Sequence, residues 1–252
     1  MLLFLVYQGG FYLLLAVFLL MVLGLYEFRN IIKKSHCQAL SFPLWISALL
    51  FPLIYLLKYN YIIPLLFFYL IFCYFSYLRN YPQYSPLDLS FTLLGVIYVT
   101  CGFFHLILLR QMTDGFWLII YLFIIVWSTD TGAYFIGTFF GKHQLAPAIS
   151  PKKTWEGFLG GLFTGIIAAY LFSISVPSLS LVEGRILLYI APLVSIAGQM
   201  GDLFESTLKR FAQIKDSSQI IPGHGGILDR FDSTLLAAPL TYYLFNILER
   251  LL

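Results

Sequence analysis

Charged residues are scarce in this sequence. Asp, Glu, Lys and Arg together make up 11% of its 252 residues, whereas they make up about 25% of a typical soluble domain. Apolar runs of roughly 20 residues, the length that crosses a bilayer, recur along the chain. Because these runs are continuous and do not alternate with polar residues, they favour helices over membrane-spanning strands. The composition therefore excludes an ordinary soluble domain and predicts an all-α, polytopic integral membrane helical bundle.

Cysteine is also rare, with three residues in the chain. Cys37, Cys73 and Cys101 show no paired spacing and no CxxC pattern, so the sequence gives no sign of a disulfide framework or a zinc site. Cys73 and Cys101 lie within apolar runs, where a small buried hydrophobic side chain is the simpler interpretation. The first apolar run lacks a basic start and a small-residue cleavage site, and we expect no cleavable signal peptide.

Eight apolar segments have the length and composition of transmembrane helices. Their approximate bounds are 9–28, 42–57, 61–78, 87–109, 115–140, 157–177, 185–208 and 232–250. Short polar or proline-containing joints separate them. We therefore predict about eight membrane-spanning helices and no soluble domain of useful size.

The basic residues are distributed unequally between the predicted loops. If successive loops lie on alternate sides of the membrane, eleven of the fifteen Lys and Arg residues share the side of the loop after the first segment. The other four are Lys58, Arg110, Arg185 and Arg250. Because cytoplasmic loops are enriched in Lys and Arg, we expect the side with eleven to face the cytoplasm. Its two longest segments, 141–156 and 209–231, carry seven of the eleven, which places the predicted active site near the cytoplasmic face.

A lone acidic residue, Asp130, interrupts the apolar stretch Trp127–Tyr134. A carboxylate at membrane depth costs about 2.5–3.5 kcal/mol on insertion scales, and it therefore marks a candidate functional site. The alternative is an Asp near a helix end that hydrogen-bonds to the neighbouring Ser128 and Thr131.

Two lysines, Lys152 and Lys153, precede the predicted start of the sixth segment in the stretch Ser150–Gly157. A helix N-terminus beside two lysines can bind an anion through backbone N–H groups and positive charge. The alternative is a basic cluster that binds anionic lipid headgroups without specificity.

Acidic and basic residues also surround the last loop. Asp202, Ser206 and Lys209 follow i, i+4, i+7 spacing, which places a carboxylate, a hydroxyl and an ammonium group on one helical face. A hard cation or a phosphate between them fits this spacing. The alternative for the loop as a whole is a solvated connection between two helices.

The turn from Gly223 to Gly226 can offer backbone N–H groups to phosphate oxygens. Asp229 and Asp232 follow it at i, i+3 spacing, and carboxylate pairs of this kind hold Mg²⁺ against substrate phosphates.

The stretch from Ser206 to Asp232 resembles the signature of the phosphatidate cytidylyltransferases, also called CDP-diacylglycerol synthases. The matching positions are Ser206, Lys209, Arg210, Lys215, Asp216, Ser218, Pro222, His224, Gly225, Gly226, Asp229, Arg230 and Asp232. The stretches 128–142 and 150–157 resemble a second characteristic region of the family. Ser218 departs from the glycine that is common there. Family members usually have nine helices, and residues 1–8 resemble the tail of the first.

The resemblance implies a Mg²⁺-dependent reaction in which CTP and phosphatidate give CDP-diacylglycerol and diphosphate. It implies catalytic roles for Asp202, Ser206, Lys209 and Asp229. It implies metal binding by Asp202, Asp229 and Asp232, with K⁺ as a candidate second cation. It implies substrate binding by Asp130, Lys152, Lys153, Arg210, Lys215, His224, Gly225, Gly226 and Arg230.

The resemblance also predicts the organisation of the chain and its partners. Residues 1–86 are expected to form N-terminal membrane helices, with the first family helix truncated, and residues 87–252 the catalytic region. The expected partners are CTP, phosphatidate and membrane lipids, with a homodimer as a candidate assembly and no nucleic acid. The expected location is a bacterial cytoplasmic membrane, with the active site open to the cytoplasm.

Two other classes of function fit parts of the sequence. An ion-coupled membrane transporter would use Asp130 and Asp202 within the membrane, although the charges gather at one face and no inverted repeat is seen. Another CTP-using lipid kinase or transferase would share the chemistry, but the match over residues 206–232 favours nucleotidyl transfer.

Overall fold

The computed structural model of the chain describes residues 2–57, 62–176, 181–218 and 225–251. A helix occupies each of the eight apolar segments predicted above, and the all-α fold is confirmed. The predicted substrate-binding residue His224 lies outside the described residues.

The helices are α1 (Leu2–Gln8), α2 (Gly10–Lys34), α3 (Ser41–Leu56), α4 (Ile62–Arg79), α5 (Pro86–Gly95), α6 (Gly102–Gln111), α7 (Gly115–Phe140), α8 (Trp155–Ser175), α9 (Leu181–Phe211) and α10 (Leu228–Leu251). A π-helical turn (Val96–Cys101) joins α5 to α6, so that residues Pro86–Gln111 form one continuous helical segment. Between α7 and α8, strands β1 (Gln144–Ala146) and β2 (Ser150–Thr154) form an antiparallel hairpin.

Several of these helices have the properties of membrane spans. Within the described residues, five segments are long and apolar enough to cross a membrane: Gly10–Lys34, Pro86–Gln111, Gly115–Phe140, Trp155–Ser175 and Gly184–Phe211. Helices α3 and α4 are apolar but shorter. Helix α10 carries Asp229, Asp232 and Asn246 among its apolar residues. The chain is therefore a multi-pass integral membrane protein.

The chain divides into two compact units. The first unit comprises Met1–Phe104 and Leu208–Arg230, and the second comprises His105–Thr207 and Phe231–Leu252. The first unit has a core of buried apolar side chains. Within this core the rings of Phe51 and Phe104 pack edge to face, with their centroids 5.1 Å apart. In the second unit the buried Tyr121 donates a hydrogen bond from its hydroxyl to the carbonyl oxygen of Leu187 at 2.7 Å.

Helices α7 and α8 of the second unit pack closely because α8 presents glycines to α7. A Cβ on Gly161 would lie 2.7 Å from the carbonyl oxygen of Thr129, and a Cβ on Gly157 would lie 2.8 Å from that of Ala133. Small residues at such spacing let helix backbones approach each other within a membrane. Thr164 adds a hydrogen bond from its Oγ1 to the carbonyl oxygen of Ser128 at 2.9 Å. This packing fixes the part of α7 that carries Asp130.

The start of α8 is set by a side-chain cap. Thr154 is the N-cap residue, and its Oγ1 accepts a hydrogen bond from the N–H of Gly157 at 3.1 Å. Such a cap satisfies one of the N–H groups that a helix end leaves unpaired. Because Thr154 is also the last residue of β2, the cap attaches the hairpin and its two lysines directly to the helix.

Candidate active site

A cavity of about 350 Å³ lies within the second unit. Helices α7, α8 and α9 and the β1–β2 hairpin line it. Its polar side chains include Asp130, Lys152, Lys153, Gln199 and Asp202, and its apolar lining includes Ala133, Tyr134, Leu145, Phe158 and Leu203. The cavity therefore combines acidic, basic and apolar groups, as ligand-binding pockets commonly do.

An ion pair crosses this cavity. Lys153 on β2 places its Nζ 2.7 Å from Oδ2 of Asp202 on α9. Asp130 on α7 interacts electrostatically with both of these residues. The structure thus brings together three predicted site residues that come from three separate elements of the chain.

Further carboxylates lie beside this pair in the second unit. Asp232 interacts electrostatically with Asp202, Glu205 and Asp130, and Glu205 is fully buried. We call Asp130, Asp202, Glu205 and Asp232 the acidic cluster. Lys153 is paired with one of these four carboxyl groups, Asp202, and a cation bound among them would reduce their mutual repulsion.

The donor set of the acidic cluster suits a hard divalent cation, because such ions take carboxylate oxygens as ligands. Among the described residues, no group of three or more His, Cys, Asp and Glu side chains is already arranged around a metal position. A cation held by these carboxylates would take its remaining ligands from substrate phosphates and water.

A second charged group lies in the first unit, around Asp229 in the first turn of α10. Lys209 Nζ lies 2.8 Å from Asp229 Oδ1. Asp229 Oδ2 accepts hydrogen bonds from Ser217 N–H at 3.0 Å, Ser217 Oγ at 2.8 Å and Gly226 N–H at 2.8 Å. Burial acts to raise the pKa of Asp229, but the hydrogen bonds from Lys209 and Gly226 outweigh it and lower the pKa to about 2. Both oxygens of this predicted metal ligand are therefore engaged by the protein itself.

The two glycines before α10 fit closely against acidic side chains. Gly225 has a φ of +78°, in the left-handed region, which glycine adopts without strain. A Cβ on Gly226 would overlap Ser217 Oγ and the carboxylate of Glu27. The N–H of Gly226, predicted to bind phosphate, donates to Asp229 in this structure.

The remaining predicted residues differ in their surroundings. Arg210 donates a hydrogen bond from Nη1 to the carbonyl oxygen of Ile214 at 3.4 Å, at the end of α9. Ser206 is buried on α9, whereas Lys152, Lys215 and Arg230 are exposed. Because these three side chains are exposed, a soluble anionic substrate can reach them.

Two glutamates outside the predicted site also hold its elements together. Glu156 accepts hydrogen bonds from the N–H groups of Lys142 and His143 at 3.1 and 3.2 Å and contacts His143 Nδ1 at 2.6 Å. These contacts close the base of the hairpin. Glu27 on α2 is fully buried, and the rule that marked Asp130, a lone acid in an apolar run, could have identified it.

The sequence also matches known proteins along nearly its whole length. The profile of the Cytidylyltransferase family matches residues 1–248. The chain belongs to this family. The phosphatidate cytidylyltransferase of Staphylococcus saprophyticus is 40% identical over 244 residues, which cover 92% of this chain and 89% of the relative. That of Staphylococcus epidermidis is 39% identical over 243 residues, with the same coverage of 92% and 89%. That of Staphylococcus haemolyticus is 46% identical over 159 residues, which cover 63% of this chain and 59% of the relative.

These matches confirm the resemblance that was drawn from residues 206–232. The family match over residues 1–248 extends the resemblance to the N-terminal helices. A family of nucleotidyltransferases also suggests a divalent cation, in agreement with the chemistry of the acidic cluster.

Proposed function

We propose that this chain is a phosphatidate cytidylyltransferase, which converts CTP and phosphatidate to CDP-diacylglycerol and diphosphate. The observation that carries the proposal is the cavity in which Lys153 and Asp202 pair beside Asp130. In a member of the cytidylyltransferase family, this cavity offers a position for a phosphate next to a position for a cation. The names of the relatives that match over 92% of the chain support phosphatidate as the lipid.

The reaction requires little proton chemistry. A phosphate oxygen of phosphatidate attacks the α-phosphorus of CTP, the new P–O bond forms, and the bond to the departing diphosphate breaks. The attacking oxygen is already ionised near neutral pH, so no general base is needed. The main barrier is repulsion between two polyanions, which positive charge and fixed geometry reduce.

We assign the lysines of the hairpin to the lipid phosphate. Lys152 is exposed and Lys153 is half-buried at the cavity wall. Apolar cavity residues such as Tyr134 and Phe158 can contact the glycerol and the upper acyl chains. Lys153 is paired with Asp202, and a cation on Asp202 would therefore release Lys153 to bind a phosphate.

We assign the cation to Mg²⁺, held by Asp202 and Asp232 with Asp130 beside them, and K⁺ is the candidate for a second position. Mg²⁺ would neutralise charge on the phosphates of CTP. Asp229 is the third predicted metal ligand. To bind a cation, its Oδ1 would have to leave the ion pair with Lys209, and the ammonium group of Lys209 would then bind a phosphate. Ser206, Arg210, Lys215, Arg230 and the turn ending at Gly225 and Gly226 are the proposed contacts of CTP.

The wider proposal follows the sequence predictions. Residues 87–252 would form the catalytic region and residues 1–86 the N-terminal membrane helices, in a bacterial cytoplasmic membrane. A homodimer is the proposed assembly, which the mass of the purified protein by light scattering would test.

The direct test is an assay of purified protein in detergent with radiolabelled CTP, phosphatidate and Mg²⁺. We expect label to enter the lipid phase, and Asp202→Asn to reduce the rate by about 100-fold or more, as the loss of an essential charge does. Asp114→Asn is the matched control, because the Asp114 side chain makes no hydrogen bond to the start of α7. Absence of lipid-soluble label in several detergents would overturn the proposal.

A second measurement separates this enzyme from an ion-coupled transporter. CTP with Mg²⁺ should raise the melting temperature of the protein, because a ligand that binds the folded state stabilises it. A transporter of ions has no reason to respond to CTP.

A further inference from the structure

Glu27 is a fully buried carboxylate on α2, and residues far along the chain hydrogen-bond to both of its oxygens. Oε1 accepts from Ser218 Oγ at 2.6 Å and from Ile227 N–H at 2.8 Å. Oε2 accepts from Ser217 Oγ at 3.1 Å and from Leu228 N–H at 2.8 Å. Glu27 therefore joins an N-terminal helix to the two described ends of the loop between α9 and α10.

The chemistry of these contacts identifies their role. An ionised carboxylate offers about four acceptor positions. Four donor groups reach Glu27, and one of them, the single hydroxyl hydrogen of Ser217, is shared with Asp229. Two of the donors are N–H groups at the start of α10, where a helix leaves N–H groups unpaired and favours negative charge. Because all four partners are donors, the position is occupied by the protein and is not a cation site.

The contacts of Glu27 continue to the charged group around Asp229. Ser217 Oγ lies 3.1 Å from Glu27 Oε2 and 2.8 Å from Asp229 Oδ2. Gly226 donates its N–H to Asp229, while a Cβ on Gly226 would meet the carboxylate of Glu27. The segments before and after the turn are thus held between two carboxylates, one from α2 and one from α10.

We propose that Glu27 is a positioning residue for CTP binding. It does not touch the substrate; it fixes the ends of the loop that carries Lys215, Gly225 and Gly226, and through Ser217 it fixes Asp229. The inference rests on the proposed function, which assigns this loop to CTP and the hairpin lysines to phosphatidate. Loss of the Glu27 contacts should therefore affect CTP and spare the lipid.

The kinetic test compares Glu27→Gln with Glu249→Gln. The control is the same chemical change at an exposed position near the end of α10. Glu27→Gln replaces one carboxylate oxygen with an NH₂ group. This group would face at least one N–H or O–H donor and could not accept its hydrogen bond. We expect the KM for CTP to rise about tenfold or more, as expected for lost hydrogen bonds to a charged group, and the KM for phosphatidate to stay within about twofold. Glu27→Asp keeps the charge and should recover part of the affinity for CTP.

A loss of folded protein alone would lower the maximal rate and leave both KM values unchanged. That result, or an equal rise in both KM values, would overturn the inference.

The second readout does not need enzymatic activity. The amides of Ile227 and Leu228 should exchange hydrogen about tenfold or more faster in Glu27→Gln than in the wild type, and at the wild-type rate in Glu249→Gln. If the wild type forms no CDP-diacylglycerol, the proposed function fails, and the exchange rates still decide whether Glu27 holds the loop. Unchanged exchange would overturn the positioning role.

If Glu27→Gln does not fold, Ser218→Ala replaces it in both measurements. This variant removes the 2.6 Å hydrogen bond to Oε1 and keeps the carboxylate. A rise in the KM for CTP with faster exchange at Ile227 supports the inference, and wild-type values for both contradict it.

Discussion

At the scale of single residues, Gly226 has little space for a side chain. A Cβ at this position would overlap Ser217 Oγ and the carboxylate of Glu27, and the N–H of Gly226 donates to Asp229. We predict that Gly226→Ala will lower kcat/KM for CTP by about 100-fold, because the added methyl group must displace the Ser217 hydroxyl and the Glu27 carboxylate and leave buried polar groups unpaired. The nucleotidyl transfer assay measures this loss.

The matched control for this change is Gly198→Ala in α9. The nearest atoms to a Cβ at Gly198 lie 3.7 Å away, which is ordinary van der Waals contact. Alanine also favours a helix by about 1 kcal/mol relative to glycine, so this variant should keep its activity and its melting temperature. Equal activity of the two variants would contradict the close fit of Gly226.

At the scale of elements, the α7–α8 contact makes a prediction about stability. Gly161→Ala should lower the melting temperature in detergent, because the methyl group would press on the carbonyl oxygen of Thr129. Overpacking of this kind costs about 1–3 kcal/mol. Because α7 carries Asp130 and α8 begins at the hairpin, the variant should also lose transfer activity.

Gly184→Ala in α9 provides the comparison for this variant, since the nearest atom to its Cβ is 3.7 Å away. Thermal unfolding of both proteins, followed by circular dichroism, separates a local clash from a general effect of alanine. A melting temperature of Gly161→Ala at or above that of Gly184→Ala would mean that α7 and α8 are not in tight contact.

The elements also show what could be predicted from the sequence. The eight helices were predictable, because a continuous apolar run in a bilayer has no other way to satisfy its backbone hydrogen bonds. Their ends were less so: α2 continues to Lys34, since basic residues at the membrane surface extend a helix without penalty. The hairpin was not predicted, because it depends on Glu156 reaching back to the N–H groups of Lys142 and His143.

The candidate site also has features that the sequence predicts and features that it does not. Asp130, Lys153 and Asp202 were recognisable because charge within an apolar chain is expensive and family motifs mark it. The contact of Glu27 with Ser217 spans 190 positions, and no local pattern or spacing encodes a pairing over that distance. Charged residues were thus easier to identify than the partners that hold them in place.

At the scale of the whole molecule, the distribution of basic residues predicts the orientation in the membrane. Eleven of the fifteen Lys and Arg residues share one predicted side, which the positive-inside rule assigns to the cytoplasm. That side includes the hairpin lysines and the loop before α10. The cell supplies CTP in the cytoplasm, so the proposed reaction requires the same orientation.

Single cysteines in a variant without Cys37, Cys73 and Cys101 can test this orientation in intact bacterial cells. We predict that a membrane-impermeant thiol reagent will label Thr113→Cys, in the joint between α6 and α7, without permeabilisation. Asp216→Cys, in the loop before α10, should be labelled only after the membrane is opened. Both positions are exposed, so a difference in labelling reports the side of the membrane and not burial. The reverse pattern would place the lysines and the acidic cluster on the side without CTP, and the proposed reaction could not then occur in the cell.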